Sequence, residues 1–393
     1  MRIVHATQSL AGSTGIETYL LTVADAMQRI GHDVQLYGEQ LGDASAHAEA
    51  LGLRVSDSAD ALSDELDVVI AHDAVAAADL LAARPDVPQV FIAHGNVFDY
   101  YVPPQLDGAV GAIVALSRVA ARRLEGAATR VPVVSLTQPV DTFRFRERNT
   151  IPQSPCRALV VSNYLAGERL SRLHEACAEA EIELRHVGAT GEGATRRVED
   201  AINGADIVIG KGRVIVEAMS CGRATYVYDM WGADGWVTPD SYELVGANGF
   251  GGGRRGFDPS AGQLAADLRD YDAALGPWGR GTALRHHRLE YHASAIVDVC
   301  RAAAERHDRP SSIGASDAEE MRRLQRLVWR HEGQAHVMTE LTKQQDRRIE
   351  GLERDLGASR EETRDLSAQL DTIRGSASWR ITAPLRRLRR KNR

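Results

Sequence analysis

The chain has 393 residues, which exceeds the size at which one hydrophobic core usually keeps growing, so we expect two globular domains and an appendage. Hydrophobic residues make up 44% and charged residues 26%, as in ordinary globular proteins, and no apolar run is long enough to span a bilayer. The first residues, MRIVHATQSLAG, enter a strand pattern and lack the features of a secretory signal, so we expect a cytoplasmic protein.

The charge and the cysteines exclude further classes. A net charge of -7 argues against nucleic-acid binding over the whole surface, although the C-terminal end is strongly basic. The four cysteines are scattered without CxxC spacing, which argues against a disulfide framework and a structural zinc site. We expect reduced, mostly buried thiols at Cys156, Cys177, Cys221 and Cys300.

Short β-branched runs alternate with longer amphipathic stretches from the first residue, which is typical of βαβ units around a parallel sheet. Residues 16–30 predict a helix that ends at Gly31, and residues 117–126 predict another. The predicted strands are residues 2–6, 33–37, 67–71, 89–93, 112–115 and 131–135. Residues 1–147 therefore predict one doubly wound, Rossmann-like domain.

A second α/β series follows a charged, proline-containing stretch, RERNTIPQSP, that suits a linker between domains. The predicted strands are residues 158–162, 183–187, 207–209 and 225–228, the predicted helices are residues 169–180, 195–203 and 214–221, and residues 246–256 predict a glycine-rich loop. Residues 156–307 therefore predict a second Rossmann-like domain. The predicted fold class is α/β, with two doubly wound domains followed by a coiled-coil helix.

The last part of the chain predicts a stalk and a tail. Residues 317–374 carry apolar residues at alternating spacings of three and four, the heptad pattern of a coiled coil. Polar residues such as His331 and Gln345 interrupt this seam and predict a weak coil or one shared with a partner. The apolar seam residues are Met321, Leu324, Val328, Ala335, Met338, Ile349, Leu352, Leu356, Leu366, Leu370 and Ile373. Residues 375–393 predict a basic amphipathic tail with no acidic residue.

Two glycine-containing turns follow predicted strands, where doubly wound sheets bind their ligands. In the first, Gly12 and Gly15 precede a helix and allow a ligand to approach the backbone, although packing alone explains glycine there equally well. The second turn, GKGR, places Lys211 and Arg213 where a diphosphate would bind, and a buried Glu217 can accept hydrogen bonds from two ribose hydroxyls. The alternative is that Glu217 pairs locally and both cations are solvated.

These residues carry a resemblance to a known family. The segment GIETYLLTVADAMQRIGHDV resembles the entry helix of GT-B fold glycosyltransferases, and VIVEAMSCGRATYVYD resembles the donor-site motif of glycosyltransferase family 4. Further similarity at AHG, ALSRVAARRL and QPVDTFRF extends it over about the first three hundred residues. The basic ending resembles tails of bacterial polysaccharide-assembly glycosyltransferases. The implied activity is transfer of a sugar from a nucleotide-sugar donor.

The resemblance also implies roles for particular residues. Glu217 matches the second glutamate of the family's paired-glutamate motif, which holds the donor ribose, whereas Ile209 replaces the first. His94 matches a histidine near the donor sugar, although a hydrogen-bonded histidine at a strand end is an alternative. Relatives carry an arginine and a lysine for the diphosphate where this chain has Ser162 to Tyr164, with Arg169 as the nearest cation. Lys211 and Arg213 could supply that charge instead.

The predicted site is therefore defined residue by residue. The predicted catalytic residue is His94, no metal ligand is predicted, and no cofactor is expected because the nucleotide sugar is a co-substrate. The predicted donor-binding residues are Gly15, Gly188, Lys211, Gly212, Arg213 and Glu217. The resemblance implies metal-independent transfer with retention at the anomeric carbon, with backbone dipoles and cations stabilising the leaving diphosphate.

Of two alternatives from other classes, the first stays open. The loss of the first glutamate and of the family's diphosphate cations suits a catalytically retired GT-B protein that serves as a binding or scaffold subunit. A nicotinamide dinucleotide site is disfavoured because neither glycine turn fits GxGxxG.

The expected partners are a nucleotide-sugar donor and a carbohydrate or lipid-linked acceptor of the envelope or polysaccharide type. The basic tail, with Trp379, suits an anionic membrane surface at the inner face of the cell membrane, while a solvated basic end is the alternative. The coiled coil suits a homo-oligomer or a spacer, and no nucleic-acid partner is expected.

Overall fold

The computed structural model describes residues 1–12, 15–94, 101–104, 108, 110–126, 131–188, 190–193, 197–253, 257–306, 314–376 and 379. The first domain contains β1 (Arg2–Ala6), β2 (Ser9–Leu10), α1 (Gly15–Arg29), β3 (Asp33–Tyr37), β4 (Gln40–Leu41), α2 (Asp43–Ala50), β5 (Arg54–Ser56), a short 3-10 helix (Ala59–Ala61), β6 (Val68–Ala71), α3 (Ala74–Ala83), β7 (Gln89–Ala93), β8 (Ala112–Ala115), α4 (Arg118–Gly126) and β9 (Val133–Ser135).

Seven parallel strands form the first sheet in the order β5-β3-β1-β6-β7-β8-β9. The strand order reverses between β1 and β6, so the crevice beyond their carboxyl ends is the natural ligand position of this sheet. The central strands are buried on both faces, which explains their near-continuous Val, Ile and Ala composition. The predicted first doubly wound domain is confirmed.

The second domain contains β10 (Arg157–Val161), α5 (Gly167–Glu179), β11 (Glu183–Val187), α6 (Val198–Asn203), β12 (Ile207–Gly210), α7 (Arg213–Ser220), β13 (Ala224–Asp229), β14 (Gly232–Trp236), α8 (Tyr242–Gly246), α9 (Ala261–Arg269), α10 (Leu275–His286) and α11 (Leu289–Arg306). Its sheet has the order β11-β10-β12-β13-β14, with β14 antiparallel at the edge. The strand order reverses between β10 and β12. Residues 194–196, at the start of the predicted helix 195–203, lie outside the described residues.

Four hydrophobic clusters cover the faces of the two sheets. One face of the first sheet packs against α1, and the other against α3 and α4. The second sheet packs between α7 on one face and α5 with α9 on the other. Sequence analysis assigned residues 156–307 to the second domain, but α11 packs into the first, where Leu289, Ile296 and Cys300 are buried beside α1.

The chain crosses between the two domains twice, and the two crossings pair. Val140 and Arg288 form a parallel β-bridge, in which Val140 N–H donates to His287 O at 2.7 Å and Leu289 N–H donates to Val140 O at 3.1 Å. The His287 ring contacts Gln138 O at 2.6 Å and the Tyr242 hydroxyl at 2.7 Å. The QPVDTFRF segment and residues 287–289 thus form the paired connection between the domains.

The predicted stalk is a single 61-residue helix, α12 (Ala315–Gly375). Residues up to Arg330 belong to one compact unit with both sheets, and residues from His331 onward form a second unit. Met321 packs into the first domain, while the seam residues Leu356 and Leu370 are about half exposed. Most of the predicted tail 375–393 lies outside the described residues. No helix in the described part of the chain is both long and apolar enough to cross a membrane.

Candidate functional site

Polar side chains gather at the carboxyl ends of three adjacent strands of the second sheet. Ser162 follows β10, Lys211 follows β12 and Asp229 ends β13. The Ser162 hydroxyl donates to Asp229 Oδ2 at 2.8 Å and accepts the N–H groups of Tyr164 and Leu165, each at 2.9 Å. This cluster lies where the strand order reverses, beyond β10 and β12, which is the expected ligand position.

Lys211 is held within this cluster. Its Nζ lies 3.8 Å from Asp229 Oδ1 and 4.6 Å from the centre of the Tyr164 ring, a cation–π contact. Burial lowers the pKa of Lys211, and the nearby Asp229 carboxylate acts in the opposite direction. The ammonium is therefore incompletely compensated, and a bound anion would favour its charged form.

Two predicted glycines are required by the backbone around this cluster. Gly188 follows β11 with φ +136, and a Cβ at this position would lie 2.0 Å from Ser162 O. Gly212 precedes α7 with φ +65, and its N–H donates to Phe250 O at 2.8 Å. A Cβ at Gly212 would meet nothing within 4 Å, so open space lies beside the start of α7. A helix start carries N–H groups and a positive dipole end that attract anions.

Glu217, the residue predicted to bind the donor ribose, forms an ion pair within its own helix. Arg213 Nε lies 3.0 Å from Glu217 Oε1, one turn apart on α7, and Glu217 is buried. This contact is the local pairing that the sequence left open as an alternative. Ile209, at the position of the family's first glutamate, is fully buried within β12. Arg169 forms two bonds to the Asp258 carboxylate, each 3.0 Å long.

The first sheet places a second polar cluster where its own strand order reverses. Asp73 follows β6, begins α3, and accepts the Thr7 hydroxyl at 2.9 Å and the Gln8 N–H at 2.6 Å, which ties the loop after β1 to β6. His72 also follows β6 and contacts His94 after β7, with 2.7 Å between His72 Nδ1 and His94 Nε2.

His94, the predicted catalytic residue, lies in a layer of aromatic rings. The Tyr19 ring of α1 meets it edge to face at 4.9 Å, and the Tyr19 hydroxyl contacts His292 Nε2 of α11 at 2.7 Å. Burial lowers the pKa of His94 to about 3, so its imidazole is neutral at physiological pH. The structure therefore gives His94 the hydrogen-bonded environment that the sequence analysis kept as its alternative interpretation.

Gly15 begins α1, and a Cβ at Gly15 or Gly12 would meet nothing within 4 Å. Space is therefore open at these two glycines, although residues 13–14 between them lie outside the described residues. Gly95 and residues 254–256 of the glycine-rich loop also lie outside them.

A cavity of about 290 Å³ lies between the two domains. The first domain lines it with residues that follow β8 and β9, including Ser117 and Gln138. Tyr242 and Phe250 of the second domain and the connecting residue His287 complete the lining. Val119 N–H donates to Ala247 O at 2.9 Å beside it. The carboxyl ends of the first sheet therefore face the second domain, as a cleft between two doubly wound domains requires.

Sequence reasoning missed Ser162, Asp229 and His72 as members of these clusters. All three stand at or directly after the end of a strand, and that position was the available signal. Among the described residues, no group of three or more His, Cys, Asp or Glu side chains is arranged to hold a metal ion.

The chain matches no protein-family model and no curated protein. Its similarity is to solved structures. HepE of Anabaena, in complex with UDP, is 16% identical with a TM-score of 0.59, covering 77% of this chain and 100% of its own. A glycosyltransferase from Rickettsia africae is 13% identical with a TM-score of 0.58, covering 78% and 99%.

The lipopolysaccharide outer core galactosyltransferase WaaB, in its apo form, is 14% identical with a TM-score of 0.51, covering 77% of this chain and 99% of its own. At these identities the similarity establishes the fold. The predicted GT-B fold, two Rossmann-like domains around a cleft, is confirmed.

Proposed function

We propose that the chain is a glycosyltransferase that moves a sugar from a nucleoside-diphosphate sugar to an envelope or polysaccharide-type acceptor. The observation that carries the proposal is the position of Lys211 and Glu217 on either side of the start of α7, where the strand order of a GT-B second domain reverses. Retention and metal independence follow the family resemblance and are part of the proposal.

In this proposal the diphosphate binds at the start of α7, beside Lys211. The open space at Gly212 lets phosphate oxygens approach the backbone, and the helix dipole favours their charge. A phosphate near Lys211 Nζ would offset the cost of burying the ammonium, which Asp229 at 3.8 Å meets only in part. The same groups would stabilise the diphosphate as it leaves the sugar.

The ribose would bind to Glu217 by replacing Arg213. A carboxylate can accept two hydroxyl hydrogens, and the present Arg213 contact at 3.0 Å occupies one of its oxygens. Donor binding would therefore exchange this ion pair for ribose hydrogen bonds and release the guanidinium toward the phosphates.

The sugar would lie toward His94 in the cleft, and the paired connection at Val140 and Leu289 would let the two domains close over it. Closure excludes water and so suppresses hydrolysis of the donor. Gly188 would act through the backbone, by letting the end of β11 approach Ser162, whose hydroxyl donates to Asp229.

The stalk would pair the enzyme with a second copy, and the tail would bind it to the membrane surface. Exposed seam residues on α12, such as Leu356, Leu366 and Leu370, suit pairing with a second copy of the chain. The basic tail would bind anionic lipid at the inner face of the membrane, near a lipid-linked acceptor. Removal of residues 376–393 should then abolish flotation with anionic vesicles, and removal of residues 331–393 should also give a monomer by light scattering.

A second candidate is a GT-B protein that has lost turnover and serves as a binding subunit. The buried Ile209 and the Arg213–Glu217 pair favour it, because one motif carboxylate is missing and the other is occupied. This candidate binds a nucleotide without transferring its sugar.

Thermal unfolding with added nucleotides tests both candidates. UDP, GDP, ADP and TDP and their sugar conjugates are screened against the wild type, Glu217→Gln and Lys211→Ala, with the exposed Glu168→Gln as the control. At a hundredfold excess over Kd, a ligand that binds only the folded state adds about 2.7 kcal/mol of stability. We expect one nucleotide series to stabilise the wild type and Glu168→Gln alone. If no nucleotide stabilises the wild type, the proposed donor site is contradicted. If a nucleotide binds but its sugar conjugate is neither hydrolysed nor transferred, the binding subunit is favoured.

A further inference from the structure

Three histidines form a hydrogen-bonded row inside the first domain. His94 Nε2 lies 2.7 Å from His72 Nδ1, and His72 Nε2 lies 3.0 Å from His5 Nδ1. His5 is in β1 and is fully buried, as is His72. The row therefore runs from the carboxyl edge of the sheet into the core.

The rings are joined edge to edge and in line. The ring centres are 5.0 Å apart for His72 and His94 and 5.3 Å for His5 and His72, with interplanar angles of 25° and 24°. Each centre-to-centre distance exceeds the nitrogen-to-nitrogen distance by about one ring width, so the nitrogen atoms, and not the ring faces, make the contacts. Every link is thus one N–H···N hydrogen bond with a definite direction.

The inner end of the row determines that direction. His5 Nε2 lies 3.3 Å from Met27 Sδ, and a thioether sulfur can accept a hydrogen bond but has no proton to donate. His5 therefore carries its proton on Nε2 and accepts at Nδ1. His72 must then donate from Nε2 and accept at Nδ1, and His94 must donate from Nε2.

We propose that Met27, through His5 and His72, fixes His94 as the neutral Nε2–H tautomer, so that His94 presents a bare Nδ1 that can only accept a hydrogen bond. If the proposed function holds, the group that His94 receives is a sugar hydroxyl that donates its hydrogen. His72, His5 and Met27 are positioning residues for His94.

The surroundings support a row of neutral rings. Burial lowers the pKa of His5 to about 3 and that of His72 well below its usual value. Nδ1 of His94 has no hydrogen-bond partner among the described residues, and His94 is partly exposed. The row ends at a buried sulfur, so it offers no exit for a proton and acts by orienting His94.

Nuclear magnetic resonance of the full chain with ¹⁵N-labelled histidine tests the proposal without any nucleotide. Two-bond proton–nitrogen correlations distinguish a protonated from a bare ring nitrogen, and the loss of signals in His94→Asn, His72→Asn and His5→Asn assigns the three rings. We expect protonated Nε2 and bare Nδ1 in all three at neutral pH. A protonated Nδ1 in any of them overturns the proposal.

Substitution of Met27 tests whether this residue sets the direction of the hydrogen bonds along the histidine row. Met27→Leu conserves volume and removes the acceptor, so the His94 Nδ1 resonance should shift toward the protonated position. Met27→Gln offers a carbonyl acceptor and should restore the wild-type position. Met219→Leu, at another buried methionine, is the matched control. Equal His94 shifts in Met27→Leu and Met219→Leu overturn the role of Met27. Because no donor is present, this outcome is independent of the nucleotide screen.

Discussion

Asp229 shows how a single residue at a strand end can hold several neighbouring groups together. Met230 N–H donates to its Oδ1 at 2.6 Å, Ser162 donates to Oδ2 at 2.8 Å, and Lys211 lies 3.8 Å away. The short bonds come from neutral groups and hold the carboxylate in place. The contact to the Lys211 ammonium is longer, so this buried carboxylate is satisfied mainly by its two neutral donors.

Gly188→Ala should destabilise the fold by about 3 kcal/mol, since its Cβ would overlap Ser162 O and φ +136 is strained for alanine. The matched control is Gly262→Ala in α9, where a Cβ meets nothing within 4 Å and a helical glycine gains from replacement. Urea unfolding measures both. Equal stability of the two variants would show that the strands at Gly188 move apart without cost.

The buried histidines should make stability depend on pH. Burial lowers the pKa of His292 to about 3, far below its value in the unfolded chain, so only the unfolded state takes up this proton between about pH 6.5 and pH 3. Stability is then lost as the pH falls below about 6.5, by up to about 1.4 kcal/mol per pH unit for each such histidine.

His292→Phe should reduce the slope of unfolding free energy against pH between pH 6.5 and 5, as measured by urea unfolding, whatever its effect on absolute stability. The control is His174→Gln on the exposed side of α5, which should leave the slope unchanged. An unchanged slope in His292→Phe would mean that this ring is protonated in the native state.

At the scale of elements, the start of α12 is anchored to the first domain. Asp79 of α3 is 2% exposed and receives Arg322 Nε at 2.8 Å, Arg326 at 3.3 Å and the Tyr37 hydroxyl at 3.1 Å. A buried carboxylate needs such partners, because an uncompensated charge in the interior is costly.

The double variant Arg322→Gln with Arg326→Gln should therefore lower the free energy of unfolding by about 2 kcal/mol or more. The neighbouring Arg323, which contacts Glu320 on the surface at 2.7 Å, offers the control Arg323→Gln, for which we expect a change below about 0.5 kcal/mol. Urea unfolding compares the two. Similar losses would indicate that Asp79 is satisfied without α12.

Which elements could be predicted from sequence depends on whether their patterns are local. The strands at 2–6, 33–37 and 183–187 were predicted with their observed bounds because their composition marks them. Helix α3, AVAAADLLAA, was missed since it is buried almost all round and has no amphipathic period. Strand β14, GADGW, is rich in residues that strands disfavour and depends on pairing with β13.

The same distinction between local and non-local patterns applies to the candidate site. Lys211 and Glu217 could be predicted as donor-binding residues because one continuous motif contains them. The row of His5, His72 and His94 depends on the order of strands β1, β6 and β7 in the sheet, which no local pattern reveals. Likewise, α11 has a recognisable helical pattern, but nothing in its own residues tells which domain it covers.

At the scale of the molecule, α11 makes the first domain depend on the end of the second. Leu289, Ala293, Ile296 and Val297 are buried with Leu20 and Val23 of α1, and the His292 ring contacts the Tyr19 hydroxyl. One face of the first sheet is therefore covered partly by α1 and partly by α11, a helix that follows the whole second sheet in sequence.

Residues 1–147 alone should thus bind a hydrophobic dye and give poorly dispersed amide resonances. The same residues joined by a flexible linker to residues 286–306 should lose dye binding and gain dispersion, because α11 buries the open face. A linker with a scrambled α11 sequence is the control. A well-folded isolated fragment would show that the first domain folds without α11.

The placement of α11 also sets an order of events at the ribosome. The N-terminal sheet emerges first, yet α11, one of the helices that cover it, is among the last segments of the two domains to be translated. Throughout synthesis of the second domain, the nascent chain carries an open apolar face that chaperones can recognise. Docking of α11 then completes the core of the first domain in one late step, after the second domain has been translated.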